Sequence, residues 1–126
     1  MNIADELEEL NDINHCGFAL LQYAVSLPEI AEFNNKSGRW VCKPNYVTLQ
    51  IHHKRANNIR LSLRGNPSEF EQHSELPLKA GMAGYSECSF NNCSQLFAAA
   101  SYIRRAWQIF NKGRNRDHSC PTTIGE

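Results

Sequence analysis

A chain of 126 residues with 41% apolar content has room for one continuous hydrophobic core and needs no disulfide staples to close it. Its formal net charge is zero, which excludes strong overall steering toward polyanions. No apolar run approaches the roughly 18 to 20 residues that span a bilayer, and the acidic N-terminus lacks the pattern of a signal sequence, so the expectation is a soluble, cytoplasmic protein with no membrane partner.

In chain order, Ile3, Leu7, Leu10 and Ile13 recur at helical spacing among acidic residues, which predicts a helix over 2–14 that stops at His15-Cys16-Gly17. Phe18, Leu21 and Val25 suit a second helix, with a break near Ser26 and Leu27 and a fresh helical turn starting at Pro28. Residues 34–38 read as a turn, and 39–43 as a short strand with Trp40 and Cys42 on one face and Val41 on the other. Two runs of strict alternation follow: Val47, Leu49 and Ile51, then Ile59, Leu61 and Leu63. They predict an antiparallel hairpin whose polar connection over 53–58 protrudes. Residues 65–80 read as a loop with at most a helical turn over 68–72, residues 81–84 as a turn, and 85–91 as a further strand. Asn91 or Asn92 then caps a long helix with a buried stripe at Leu96, Ala100, Ile103, Trp107 and Phe110. The resulting fold class is α+β: N-terminal helices, a three- to four-stranded antiparallel sheet, and a long C-terminal helix packed on it. Residues 1–110 form the single domain and 111–126 a flexible basic tail.

Charge is sorted along the chain. Residues 1–32 hold seven acids and no Lys or Arg, and residues 33–64 hold seven Lys or Arg and no acid. Two arrangements satisfy this pattern: a basic face for a polyanion, or an acidic helix laid on a basic sheet so that the fold neutralises itself. The five cysteines are odd in number and fit no CxxC pattern, which suits free thiols in a reducing compartment. The histidines show no paired zinc spacing, and no metal or cofactor is expected.

The hairpin 47–51 with 59–64, the Gly81-Met82-Ala83-Gly84 element leading into strand 85–90, and the helix holding Ile103-Arg104-Arg105-Ala106 resemble a small α+β domain of unknown function. That domain occurs alone in bacteria or appended to restriction-type nucleases and predicted transport proteins, and the likeness covers about residues 46–110. It implies an accessory module working beside nucleic acid. The partner nucleases use a Glu-x-Lys pair, whereas here Glu87 is followed by Cys88 and Ser89.

The candidate site is the polar side of the hairpin and its neighbour: Tyr46, Gln50, His52, Arg60, Arg64, Tyr85 and Glu87. Arg60 and Arg64 share one face of a strand about 13 Å apart, a spacing that phosphates of an extended chain could bridge, and Tyr46 and Tyr85 could stack on bases. Lys54 and Arg55 at the hairpin tip, and Arg104, Arg105, Lys112, Arg114 and Arg116 at the other end, would enlarge the footprint. The leading expectation is a non-catalytic, nucleic-acid-associated binding module. The alternative is a small-ligand or protein-interaction module, with Trp40, Trp107 and Phe110 lining a cavity or a homodimer seam. An enzyme would have to pair His52-His53 with Glu87, or Cys88 with a histidine, and neither pairing has a third orienting group.

Overall fold

The computed structural model describes residues 2–54 and 57–118, with side chains up to residue 113. Its elements follow in the order α1 (Ile3–Glu8), α2 (Asn14–Ser26), β1 (Glu32–Lys36), β2 (Arg39–Lys43), β3 (Val47–His52), β4 (Asn58–Arg64), β5 (Lys79–Ala80), β6 (Tyr85–Phe90) and α3 (Leu96–His118). The class is α+β, as the periodicities indicate, but the antiparallel sheet has six strands in the order β1-β2-β3-β4-β6-β5. The two strands beyond expectation are the edges. β1 starts at the end of the helical turn expected after Pro28 and runs into the segment 34–38 expected to be a turn, pairing with β2 from Glu32↔Lys43 to Lys36↔Arg39. Its two-residue connection, Ser37-Gly38, has positive φ at both positions (56° and 82°), the backbone that matches the twist of a tight hairpin. β5 lies within the expected loop and pairs with β6 through Lys79↔Glu87.

Alternation in the central strands divides the sheet into two sides. Val47, Leu49, Ile51, Ile59, Leu61, Leu63, Cys88 and Phe90 are all buried and form one cluster with residues of all three helices, so the helices cover this inner face. α1 and α2 therefore stand on the inner side, while Glu32, the last acid of the N-terminal segment, lies in β1 opposite Lys43.

The helices correct the sequence reading in three places. His15-Cys16-Gly17 lies in the first turn of α2 and does not end a helix. Gly17 is there for space: a Cβ would sit 2.9 Å from Leu7 Cδ2 and 3.1 Å from Ile59 Cδ1, where α1, α2 and β4 converge. In α3 the fully buried positions are Ala98, Ala99, Tyr102, Ile103 and Ala106, while Leu96, Trp107 and Phe110 pack along the margin. Small residues bring this helix close to the sheet, and Tyr102 anchors the long 65–78 connection: its hydroxyl donates to the Leu76 carbonyl at 2.7 Å and accepts from the His73 N–H at 2.9 Å. Finally, α3 continues through His118, into the segment expected to be a basic tail; residues 119–126 lie outside the described ones. Asn92 caps the short 3-10 turn Cys93–Gln95 that leads into α3 by accepting from the Ser94 N–H at 2.8 Å.

A disulfide joins Cys16, in the first turn of α2, to Cys93 ahead of α3, across a sequence separation of 77. The expectation of free thiols is corrected for these two residues, and with it the argument to a reducing compartment is withdrawn. Local spacing could not reveal the pair, because only the packing of α2 beside α3 brings them together. Cys42 and Cys88 are free and buried on the inner face. Among the described residues, no helix is long and apolar enough to cross a membrane.

Candidate functional site

The outer face of the sheet is organised in rows that cross the strands. The ladder partners Lys36↔Arg39, Gln50↔Arg60 and Arg60↔Ser89, with Arg39 one step beyond the Trp40↔Leu49 pair and so opposite Gln50, place Lys36, Arg39, Gln50, Arg60 and Ser89 in one row. Three of the five are cations and none is an acid. The next row is Asn34, Val41, Thr48, Ser62, Glu87 and Lys79. A shallow depression of about 300 Å³ lies over the centre of these rows, floored by Thr48, Gln50, Arg60 and Ser62 and walled by Arg39, Tyr85, Glu87, Met82 and Ala83. It continues on either side. Toward β1 and β2, a depression of about 160 Å³ shares Val41 and Asn45 with it and adds Lys36 and Lys43. Toward β5, one of about 400 Å³ shares Arg60 and Glu87 and adds Lys79.

The 81–84 turn forms the wall because its backbone is tied down. The Tyr85 N–H donates to the Met82 carbonyl at 2.9 Å, the Gly65 N–H to the Gly84 carbonyl at 2.9 Å, and the Gly81 N–H to the Tyr85 carbonyl at 2.7 Å. Ala83 and Gly84 both take positive φ, 41° and 84°, to make the turn. Met82 is left 76% exposed at the rim.

Of the candidate residues, Gln50, Arg60, Tyr85 and Glu87 come together in this depression. Arg60 Nη1 lies 3.8 Å from Glu87 Oε1, a long ion pair between partly exposed side chains that contributes little to stability.

Tyr46 is a correction. It precedes β3, so the alternation does not govern it, and the residue is fully buried on the helix side. Its hydroxyl donates to the Ala24 carbonyl at 2.5 Å, its ring meets Trp107 edge-on at 5.3 Å, and burial pushes its ionisation far above the ordinary phenol range. Arg64 is a second correction. Half-buried at the end of β4, it donates from Nε to the Asn45 carbonyl at 3.2 Å and from Nη2 to the Tyr85 hydroxyl at 3.2 Å. Its guanidinium carbon lies 5.1 Å from the Phe110 ring centroid and 5.4 Å from that of Tyr85. This arginine ties the sheet end to Tyr85 and to Phe110 of α3, so its guanidinium is less free than that of Arg60.

His52 is half-buried, and its Nε2 is sealed from solvent with no partner among the described residues. Lys54 is exposed at the hairpin tip, and Arg55 lies outside the described residues. Arg104 and Arg105 line a different depression, with His73 and Phe97 on the α3 side, and Arg105 Nε donates to the Glu69 carbonyl at 2.8 Å. Lys112 is exposed further along α3, and the side chains of Arg114 and Arg116 lie outside the described ones. Arg104 and Arg105 therefore do not extend the outer face. Trp40 is buried in the core, while Trp107 and Phe110 are partly buried and stack on each other at 5.7 Å. Cys88 points inward, away from Glu87, and burial pushes its thiol up to about 12, which favours the protonated, less nucleophilic form there. Among the described residues, no group of three His, Cys, Asp or Glu side chains is placed to hold a metal ion.

Sequence reasoning missed Lys36, Arg39, Lys79 and Met82. Arg39 was legible, because alternation in 39–43 sets it opposite Trp40 and Cys42. Lys36 and Lys79 were not, since their strands are too short or too polar to show a period. In comparison with known proteins, the chain matches no family model, no curated protein and no solved structure, so its reading rests on the chemistry of this face.

Proposed function

We propose that the protein is a non-catalytic binding module that takes single-stranded nucleic acid across the open face of its sheet. The observation that carries the reading is the cross-strand row Lys36, Arg39 and Arg60, free of acids, on a face that the acidic N-terminal helices leave uncovered. From β1 to β4 this row spans three strand spacings, about 14 Å, and it borders a depression whose floor of amide and hydroxyl groups suits base edges. Sheet surfaces that bind single strands combine these parts, a cationic path for the backbone and a polar or aromatic platform for bases. The second reading, a small-molecule pocket, draws on the same depression, whose volume of about 300 Å³ meets the lower bound for ligand sites.

Fluorescence anisotropy with labelled single-stranded and duplex octamers of DNA and RNA, at two salt concentrations, tests the proposal. Single strands bind more tightly than duplex, and the affinity falls with salt. Arg39→Ala and Arg60→Ala together weaken binding and flatten the log–log salt slope by about 0.7 for each phosphate no longer neutralised. Arg64→Ala lowers the unfolding midpoint and leaves the slope unchanged. Absence of binding at low salt, or a slope indifferent to Arg39 and Arg60, overturns the reading and favours the small-molecule one.

A further inference from the structure

Within that reading, we propose that the central depression is a guanine-selective pocket in which the Glu87 carboxylate and the Arg60 guanidinium read the edge of one base. Glu87 is the single acid among the residues lining the depression, and on a surface that binds phosphate a carboxylate repels the ligand. Its position is nonetheless accommodated with care. Gly81 passes directly over it, and a Cβ there would lie 2.8 Å from Glu87 Cγ and 3.1 Å from Oε2, so any other residue would displace the acid. The side chain is only 24% exposed, and among the described residues it accepts no hydrogen bond closer than the 3.8 Å approach of Arg60. Water reaches this carboxylate, and a ligand that displaces the water must bring donors in its place.

The four bases differ in what they can supply. Guanine alone carries two adjacent N–H donors, at N1 and N2, and these match the two oxygens of a carboxylate. Its O6 and N7, further round the same ring system, accept from a guanidinium. Adenine and cytosine set an acceptor nitrogen beside their amine, and that acceptor would face a carboxylate oxygen. Thymine and uracil offer one N–H between two carbonyls. Gln50, Thr48 and Ser62 on the floor donate or accept as the base requires, and Met82 at the rim supplies an apolar contact for the base plane. Cations flank the centre on both sides: Lys36 and Lys43 line the depression toward β1, and Lys79, the ladder partner of Glu87, lines the one toward β5. Phosphates flanking a base in the centre thus meet lysines, while the base meets the carboxylate.

The test uses the full chain and four labelled octathymidylates, three of them carrying a single deoxyguanosine, deoxyadenosine or deoxycytidine at the centre, compared by fluorescence anisotropy at low salt. The guanine oligonucleotide binds roughly tenfold more tightly than the other three. Glu87→Gln, which places a donor where an acceptor is needed, removes the preference, so that the guanine oligonucleotide binds no more tightly than the other three. Equal affinity of the native protein for all four oligonucleotides overturns the guanine pocket while the nucleic-acid reading stands, and this comparison needs no variant. Failure of all four to bind overturns both.

Discussion

The two sides of one hairpin behave as different materials. On the inner side of β4, Ile59, Leu61 and Leu63 are fully buried beneath the helices; on the outer side, one residue along, Arg60, Ser62 and Arg64 range from exposed to half-buried. The backbone is shared and the hydrogen-bond ladder is the same, so the difference lies in what covers each side. The inner face is closed by apolar packing that tolerates no change in volume. The outer face carries polar groups that water can satisfy, and it is free to exchange that water for a ligand.

The contrast is broken most directly by substituting neighbours. Leu61→Ala leaves a cavity beneath α3 and lowers unfolding stability by about 2–5 kcal/mol, whereas Ser62→Ala stays within about 0.5 kcal/mol; urea denaturation of the two variants measures both. Similar losses would mean that the outer face is also structural. Next in size is the Cys16–Cys93 disulfide, which ties α2 to the start of α3 and so fastens the cover of the inner face. Reducing it lowers stability by about 2–4 kcal/mol in the same assay, and oligonucleotide affinity at temperatures well below the transition is unchanged, because neither cysteine lies on the outer face.

The smallest effect sharpens the picture of a dry interior. Burial pushes the Cys42 thiol up to about 11 and the Cys88 thiol up to about 12, each from an ordinary value of 9.0. The neutral form is therefore favoured by folding. This contribution is complete below pH 9, where both states hold the proton, and is lost as pH rises from 9 through 11 for Cys42 and 12 for Cys88, because the unfolded chain ionises first. Stability should fall by on the order of 1 kcal/mol for each thiol at pH 10. Cys42→Ala and Cys88→Ala variants, otherwise destabilised, should show a shallower alkaline decline in pH-dependent urea titrations.

The candidate site was half legible before the structure. Alternation set Gln50, Arg60 and Glu87 on the outer face correctly, because a strand's period of two is local and the apolar partners mark the opposite side. Tyr46 escaped that logic by standing just outside β3, where the chain turns and nothing enforces alternation. Arg64 kept its place on the period but lost its freedom to the ring of Phe110 on α3, a residue far along the chain that no local pattern connects to it. Spacing along β4 singles out Arg60 and Arg64. The cations that share a row with Arg60 come from β1 and β2, and rows exist only after strands pair.

The amino-acid pattern alone therefore settled the α+β class, the central hairpin, the strand 85–90, the existence of α3 and the sidedness of each central strand, because these depend on residues within a few positions of one another. Tertiary structure decided the remainder: which face the acidic helices cover, the edge strands β1 and β5, the disulfide between α2 and the start of α3, and which cations stand together. Each of these depends on distances between residues far apart in the chain, and those distances are set only when the hydrophobic core closes.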